Sequence, residues 1–412
     1  MKAAIRLERK RYPRASRSAE SGFVLVVTLV VLAIVLSVAL AFAFMTRLEL
    51  RTARNAVVTS QNRMVAEAGV NYALARLATA AQAPYTDEAT ITYSSADRVE
   101  LDEGAFSVTV TDESARINLN TVGEAVLSRL PGADSVIVDS VLDWRDTDED
   151  QRANGAESSF YAGLESAYQC KNGPFDTVAE LGMVRGVTPT FVRGIENLLT
   201  VYSSDPDLAP DGRPKLDLNH ADAAKLAERL EGKWSASEVA DVLTSRTARR
   251  SFNTLGELVD VPGLSLAAVA RAVDYVTTDP EPAGKEMRGR ETPGRVNLNT
   301  AAEEVLGILP GMTDGLLSEV LAARQQTPFR SLEDLFGLPS FDRDAARQLL
   351  GLVTVQSRTF SIRARGWRES GVAGQEVAAV VDFGGGEARI LAWRDGWPDG
   401  RQEGSYSGES ER

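Results

Sequence analysis

Residues 143–157 read Asp-Trp-Arg-Asp-Thr-Asp-Glu-Asp-Gln-Arg-Ala-Asn-Gly-Ala-Glu, and five carboxylates fall within the eight positions Asp143–Asp150. So many like charges repel one another at neutral pH. They are tolerated when solvated and favoured when they surround a hard cation. With Asp146 as position one, Asp148 is three, Asp150 five, Arg152 seven, Asn154 nine and Glu157 twelve. That is the ligand spacing of a calcium loop, with the Arg152 backbone carbonyl and a bidentate Glu157 in their expected places. Asp143 joins the candidate set from the preceding turn. Gln151 stands at position six, where an EF-hand needs glycine, so a true EF-hand fold is not expected. Oxygen donors without nearby His or Cys select Ca²⁺ over zinc or copper. A solvated acidic loop is the alternative.

Other chemistry is sparse. One cysteine, Cys170, excludes an internal disulfide framework and a Cys-based zinc site, and one histidine, His220, leaves no His–His metal pair. A Ser–His–Asp triad would have to use His220, which sits in a helix-capping context. Trp144, Trp234, Trp367, Trp393 and Trp397 are too scattered for a sugar platform. No enzyme is expected. A net charge of −13 and a pI near 4.9 argue against a general nucleic-acid binder. The 412 residues allow two or three domains.

The elements that carry the loop begin with an uneven charge. Residues 1–22 hold seven Lys or Arg against Glu8 and Glu20, a net of +5 that leaves −18 for the rest. Phe23–Met45 is apolar throughout, and 23 such residues at 1.5 Å each reach ~35 Å, enough to cross a bilayer. The basic flank predicts a cytoplasmic N-terminus and an acidic bulk outside. Ser21-Gly22 directly before Phe23 resembles a prepilin leader, cut after Gly22 so that Phe23 becomes the N-terminus. Most pilins carry Glu at the fifth mature position; here it is Val27. Leu50, Val57 and Met64, with Val58, Val65, Ala68 and Tyr72 beside them, predict one helix from Phe23 to Leu77, ended by Gln82-Ala83-Pro84.

Alternation over Ala105–Thr111 predicts a strand, and similar runs return at Thr359–Gly366, Glu376–Phe383 and Arg389–Trp393. One strand before and three after a long helical stretch suggest a small antiparallel sheet with a large insertion. Within it, Asn118-Leu119-Asn120, Asp217-Leu218-Asn219 and Asn297-Leu298-Asn299 are copies of one signature. An aromatic restart follows at Phe175, Phe252 and Phe329, 57, 35 and 32 residues on, so the first repeat holds about twenty extra residues, the acidic loop among them. The Asn or Thr before each first helix is expected to be its N-cap. The repeats resemble helix–hairpin–helix modules. Their hairpins, Pro131-Gly132-Ala133-Asp134 and Pro310-Gly311-Met312-Thr313 among them, lack the second glycine of a phosphate cradle, and residues 295–355 carry a net −3. Scaffolding is expected rather than DNA binding.

In this order the leader, Val27, the long helix, Asp112-Glu113-Ser114…Asn118-Leu119-Asn120-Thr121, the acidic loop and the C-terminal strands resemble the minor pseudopilin K family of bacterial type II secretion systems. The resemblance implies a subunit at the pseudopilus tip that joins other minor pseudopilins, starts assembly, and engages the secretin or cargo. It also implies cleavage by prepilin peptidase, single-pass residence in the inner membrane with a periplasmic bulk, and support for a structural Ca²⁺. It leaves the third helical unit without a role. The expected fold class is α+β: a long N-terminal transmembrane and pilin helix, then a small antiparallel sheet interrupted by an all-α insertion of helix–hairpin–helix (SAM-like) units. The expected segments are leader 1–22, helix 23–80, first sheet part 81–114, helical units 115–204, 205–280 and 281–356, C-terminal strands 357–397, and a disordered tail 398–412. The alternative is a membrane-anchored helix–hairpin–helix protein of DNA uptake.

Overall fold

A computed structural model describes residues 20–81, 94–205, 208–278, 294–368, 374–383 and 388–395. Most of the leader, the expected helix stop at Pro84 and the tail from 398 lie outside them. The chain forms two bodies, Met1–Gln61 and Asn62–Arg412. Helix α1, Glu20–Ala81, contributes to both. In the first body the helix from Phe23 is long and apolar enough to cross a membrane, with Phe23, Leu32, Val38 and Phe42 all more than half exposed. Its few polar side chains are satisfied within the helix. Thr28 donates to the Val24 carbonyl at 2.9 Å and Ser37 to that of Ala33 at 2.8 Å, as an apolar solvent would require.

In the second body, β1 (Ser94–Leu101) and β2 (Gly104–Asp112) form a hairpin. The first helical repeat follows: β3 (Ile117–Asn118), α2 (Glu124–Leu127), α3 (Ser135–Arg145), α4 (Ser158–Ala162), α5 (Pro189–Ile195) and β4 (Leu199–Thr200). The second has β5 (Leu216–Asp217), α6 (Ala223–Arg229), α7 (Ala236–Arg249), α8 (Leu266–Ala272) and β6 (Val276–Thr277). The third has β7 (Val296–Asn297), α9 (Glu303–Ile308), α10 (Asp314–Gln326), α11 (Arg343–Leu349) and β8 (Val353–Thr354). A 3-10 turn precedes α5, α8 and α11 (Val178–Met183, Leu255–Asp260, Leu332–Gly337). Strands β9 (Thr359–Trp367), β10 (Gln375–Asp382) and β11 (Arg389–Asp395) then complete an antiparallel sheet of order β1-β2-β9-β10-β11. Neighbours β2 and β9 thus enclose the whole insertion. Strand β1 was not expected from the sequence, because Ser94–Leu101 carries almost no apolar alternation.

One sheet face packs on α1. Phe106, Val108, Val110, Ile362, Ala364, Val377, Ala379 and Val381 are buried against Ala66, Val70, Ala73 and Leu77. The expected stripe does this only in part: Val65 and Tyr72 pack against the cluster, while Leu50, Val57 and Met64 are 65, 56 and 64% exposed. Close approach selects small residues instead. Any Cβ at Gly366 would collide with the Asn62–Ala66 backbone, and Asn62 Oδ1 accepts the Arg368 N–H at 2.9 Å.

Each repeat closes on a two-residue parallel pair, β3–β4, β5–β6 or β7–β8. The shared signature explains the closure. Its Leu119, Leu218 or Leu298 is fully buried. The first residue accepts the N–H two positions on, from Asn120, Asn219 or Asn299, at 2.7–3.0 Å. The second Asn clamps the aromatic restart: its Oδ1 accepts the N–H of Phe175, Phe252 or Phe329, and its Nδ2 donates to the same residue's carbonyl, all at 2.7–3.0 Å. These asparagines are therefore not N-caps. The first helices are capped by Gly123, Asp222 and Ala302.

The insertion is joined to the sheet by buried polar groups. Asp112 accepts from Ser114 N, Asn297 Nδ2, Thr300 Oγ1 and Ser357 Oγ at 2.5–3.0 Å. Glu113 accepts from the hydroxyls of Thr200 and Ser361. Burial nevertheless holds the Asp112 carboxyl above the usual range.

Candidate metal centre

Asp134 caps α3 by accepting the Ile137 N–H at 2.9 Å. The helix then places Asp139 and Asp143 one turn apart on one face and buries Trp144 among Tyr161, Tyr168 and Phe175. Asp146 ends α3, and Glu157 stands at the N-cap of α4 without capping it. The loop between returns the chain on itself. Carboxylate oxygens of Asp143, Asp146 and Glu157 all lie within 4.8 Å of one another.

The loop backbone is ordered by carboxylates. Arg152 N–H lies 3.2 Å from Asp143 Oδ2, and Asp139 Oδ2 accepts from both Asn154 nitrogens at 3.0 Å. Gly155 passes so close to Asp143 that any Cβ there would overlap its carboxylate. Yet both Glu157 oxygens and Asp146 Oδ1 are buried without a hydrogen-bond partner. Glu157 is 2% exposed. Burial, then the charges of Asp143, Asp146, Glu149 and Asp148, push its carboxyl up to about 7. Burial likewise raises Asp143 and Asp146. Arg145 does not compensate, for its guanidinium donates to the carbonyls of Leu119 and Val122 at 2.6 Å. Three converging carboxylates, Asp146 and Glu157 with orphaned oxygens and Asp143 facing the Arg152 guanidinium at 3.8 Å, fit a hard cation.

The other expected ligands lie elsewhere. Asp148 and Asp150 are exposed, with Asp148 Oδ1 accepting the Asp150 N–H at 2.9 Å. The Arg152 carbonyl accepts the Gly155 N–H at 3.1 Å, and the Asn154 amide nitrogen faces Asp139. Positions one and twelve of the calcium spacing therefore meet, with Asp143 as the third member. Sequence reasoning missed Asp139, Gly155 and Asn172. Asn172, in a left-handed turn at φ 44°, donates to Glu149 Oε1 at 2.7 Å and keeps its own Oδ1 buried without a partner. Only the Asn-Gly pair at 154–155 could have signalled the tight return.

The later turns of the second and third repeats do not present an empty anion cradle. Gly263 packs against the Asp241 carboxylate, and Ser340, at the matching place in the third repeat, gives its N–H and hydroxyl to Glu319 at 2.9 and 2.7 Å. A phosphate there would meet a carboxylate. His220 pairs with Asp217 at 2.5 Å and has a largely exposed side chain. The Cys170 thiol is half-buried, and burial raises it. Gly22 and Phe23 both fall within the α1 range.

Two family models match the chain, both described as type II secretion system (T2SS), protein K, over residues 115–204 and residues 296–354. They fall on the first and third repeats; neither covers the second, although the third had been the one left without a role. No curated protein matches. A solved structure, the GspK-GspI-GspJ complex from the type 2 secretion system of enterotoxigenic Escherichia coli, is similar at 15% identity and a TM-score of 0.45, over 85% of this chain and 99% of that one. The first and third repeats are thus each similar to a model of protein K of type II secretion systems.

Proposed function

We propose that this chain is a minor pseudopilin, a non-enzymatic subunit at the tip of the pseudopilus, where it nucleates assembly with other minor pseudopilins and supports export across the outer membrane. The family match carries this reading, and the exposed apolar helix gives it a physical route. Prepilin peptidase cuts between Gly22 and Phe23 on the cytoplasmic side. The mature helix waits in the inner membrane with the bulk periplasmic, and neighbouring helices then draw it out of lipid. Val27 supplies no carboxylate for the terminal amine of a neighbour, which suits a last subunit. Partners of the GspI and GspJ type fit best, with secretin or cargo beyond them. The segment boundaries given above and the helix–hairpin–helix reading of the repeats, as scaffolding, belong to the same proposal.

Asp143, Asp146 and Glu157 would hold a structural Ca²⁺, with the remaining loop oxygens as further candidates. The ion would supply partners for the Glu157 and Asp146 oxygens that have none. N-terminal sequencing of protein extracted from membranes tests the central claim. A start at Phe23 is expected; a start at Met1 would refute processing as a pseudopilin.

A further inference from the structure

Directly past the apolar run, α1 carries three arginines without an ion-pair partner. Arg47, Arg51 and Arg54 are exposed, and among the described residues no carboxylate pairs with them. Arg63, further along, already pairs with Glu67 at 2.9 Å. Spacings of four and three residues put the three guanidiniums on one helix face, where like charges are neighbours and repel. Glu49 cannot relieve them. It stands two residues from Arg47 and from Arg51 and five from Arg54, none a spacing at which helical side chains meet. An external anion is what this face lacks.

Position selects the anion. The three residues follow Met45 by about 3, 9 and 14 Å along the helix axis, and the polar layer of a bilayer adds about 5–7 Å to each side of its hydrocarbon. Arg47 falls within that layer. Helical side chains lean towards the N-terminus, which here is towards the apolar run, so Arg51 and Arg54 reach back to the same layer. The charge balance agrees. Once a leader ending at Gly22 is removed, residues 23–61 are net +2, which leaves −20 for Asn62–Arg412. An anionic bilayer surface repels such a bulk, and the arginine face opposes that repulsion beside the span.

We infer that Arg47, Arg51 and Arg54 dock anionic phospholipid headgroups at the edge of the bilayer, each guanidinium donating to phosphate oxygens. The inference rests on the single-pass reading proposed above and deepens it: these contacts hold the processed helix at its depth until neighbouring helices extract it. For the test, the full chain in neutral detergent is mixed with equal amounts of phosphatidylglycerol and phosphatidylcholine, and retained lipid is counted by native mass spectrometry. Phosphatidylglycerol should be retained in excess. Each single substitution, Arg47→Gln, Arg51→Gln or Arg54→Gln, should cut that preference about fivefold at low salt, and the triple variant should lower it furthest with its thermal midpoint unchanged. Because all variants share one leader, Lys2–Arg17 do not enter the difference. Retention of neither lipid would overturn the single-pass reading and the inference with it, whereas retention of both without preference would overturn the inference alone. An unchanged preference in the triple variant overturns it too, and if that variant loses self-association instead, the face belongs to an acidic protein segment. Displacement of the lipid by inorganic phosphate at constant ionic strength would assign the face to the free ion and likewise refute the docking.

Discussion

Glu157 is the residue on which the metal reading turns. Its carboxyl titrates near 7 in the folded chain against 4.5 for an ordinary glutamate, so folding favours the protonated form. In chelator, its stabilising contribution is therefore full below about pH 4.5 and is lost as pH rises through 7. Under the proposed calcium site, the ion would bind the ionised form and remove that loss. The gap between thermal midpoints in calcium and in chelator should widen from pH 5 to 8, and Glu157→Gln should flatten it; parallel profiles would discredit the site. At fixed neutral pH, Asp146→Ala should lower the midpoint in calcium and leave it unchanged or higher in chelator, because it removes a half-buried carboxylate disfavoured by desolvation and by the charges of Asp148 and Asp143. The acidic loop was legible because carboxylate spacing is a local property. Which carboxylates converge was not. That depends on Asp143 and Asp139 reaching forward from α3, and on Gly155 letting the return strand come close.

The same division between local and distant information holds for the elements. The signature, Asn-Leu-Asn twice and Asp-Leu-Asn once, was visible three times, yet its mechanism needed partners 30–55 residues away, at Phe175, Phe252 and Phe329. Local capping chemistry was the natural reading, and it failed. Arg145, Arg246 and Arg324 went unnoticed for the same reason. Each donates to the carbonyl of the signature leucine and to one three residues beyond it, Val122, Ala221 or Ala301. Asn299→Ala should cost about 2–4 kcal/mol, since it leaves the Phe329 N–H and carbonyl unpaired beside a buried ring. Urea unfolding measures it, and a loss under 1 kcal/mol would show that the clamp is incidental. In α1 the misleading cue was bulk. The packed face is Ala66, Val70 and Ala73 with Gly69, because β2 and β9 approach the helix backbone. Replacing Gly366 with Val should lower the midpoint by several degrees and expose 62–77 to hydrogen exchange.

At the scale of the molecule, the helix serves two environments, and a truncation can separate them. Met1–Gln61 presents apolar side chains outward along its described length, while Asn62–Arg412 has its own core. Removing residues 1–61 should yield a head that is soluble without detergent, folds cooperatively and keeps its calcium response, because Asn62, Ala66, Val70, Ala73 and Leu77 remain in place. Removing residues 1–78 takes those away and uncovers Phe106, Val108, Val110, Ile362 and Val377 on one continuous sheet face. Exposed apolar area of that kind drives association, so the shorter form should aggregate or bind hydrophobic dyes. Size-exclusion chromatography of the two truncations decides the matter. Two equally soluble monomers would mean that the helix past Gln61 contributes nothing to the head, and two equally insoluble products would mean that the apolar segment before it is part of the head's core. Only a sharp difference between them fits the proposal that the first half-helix leaves lipid for a fibre while the head stays folded.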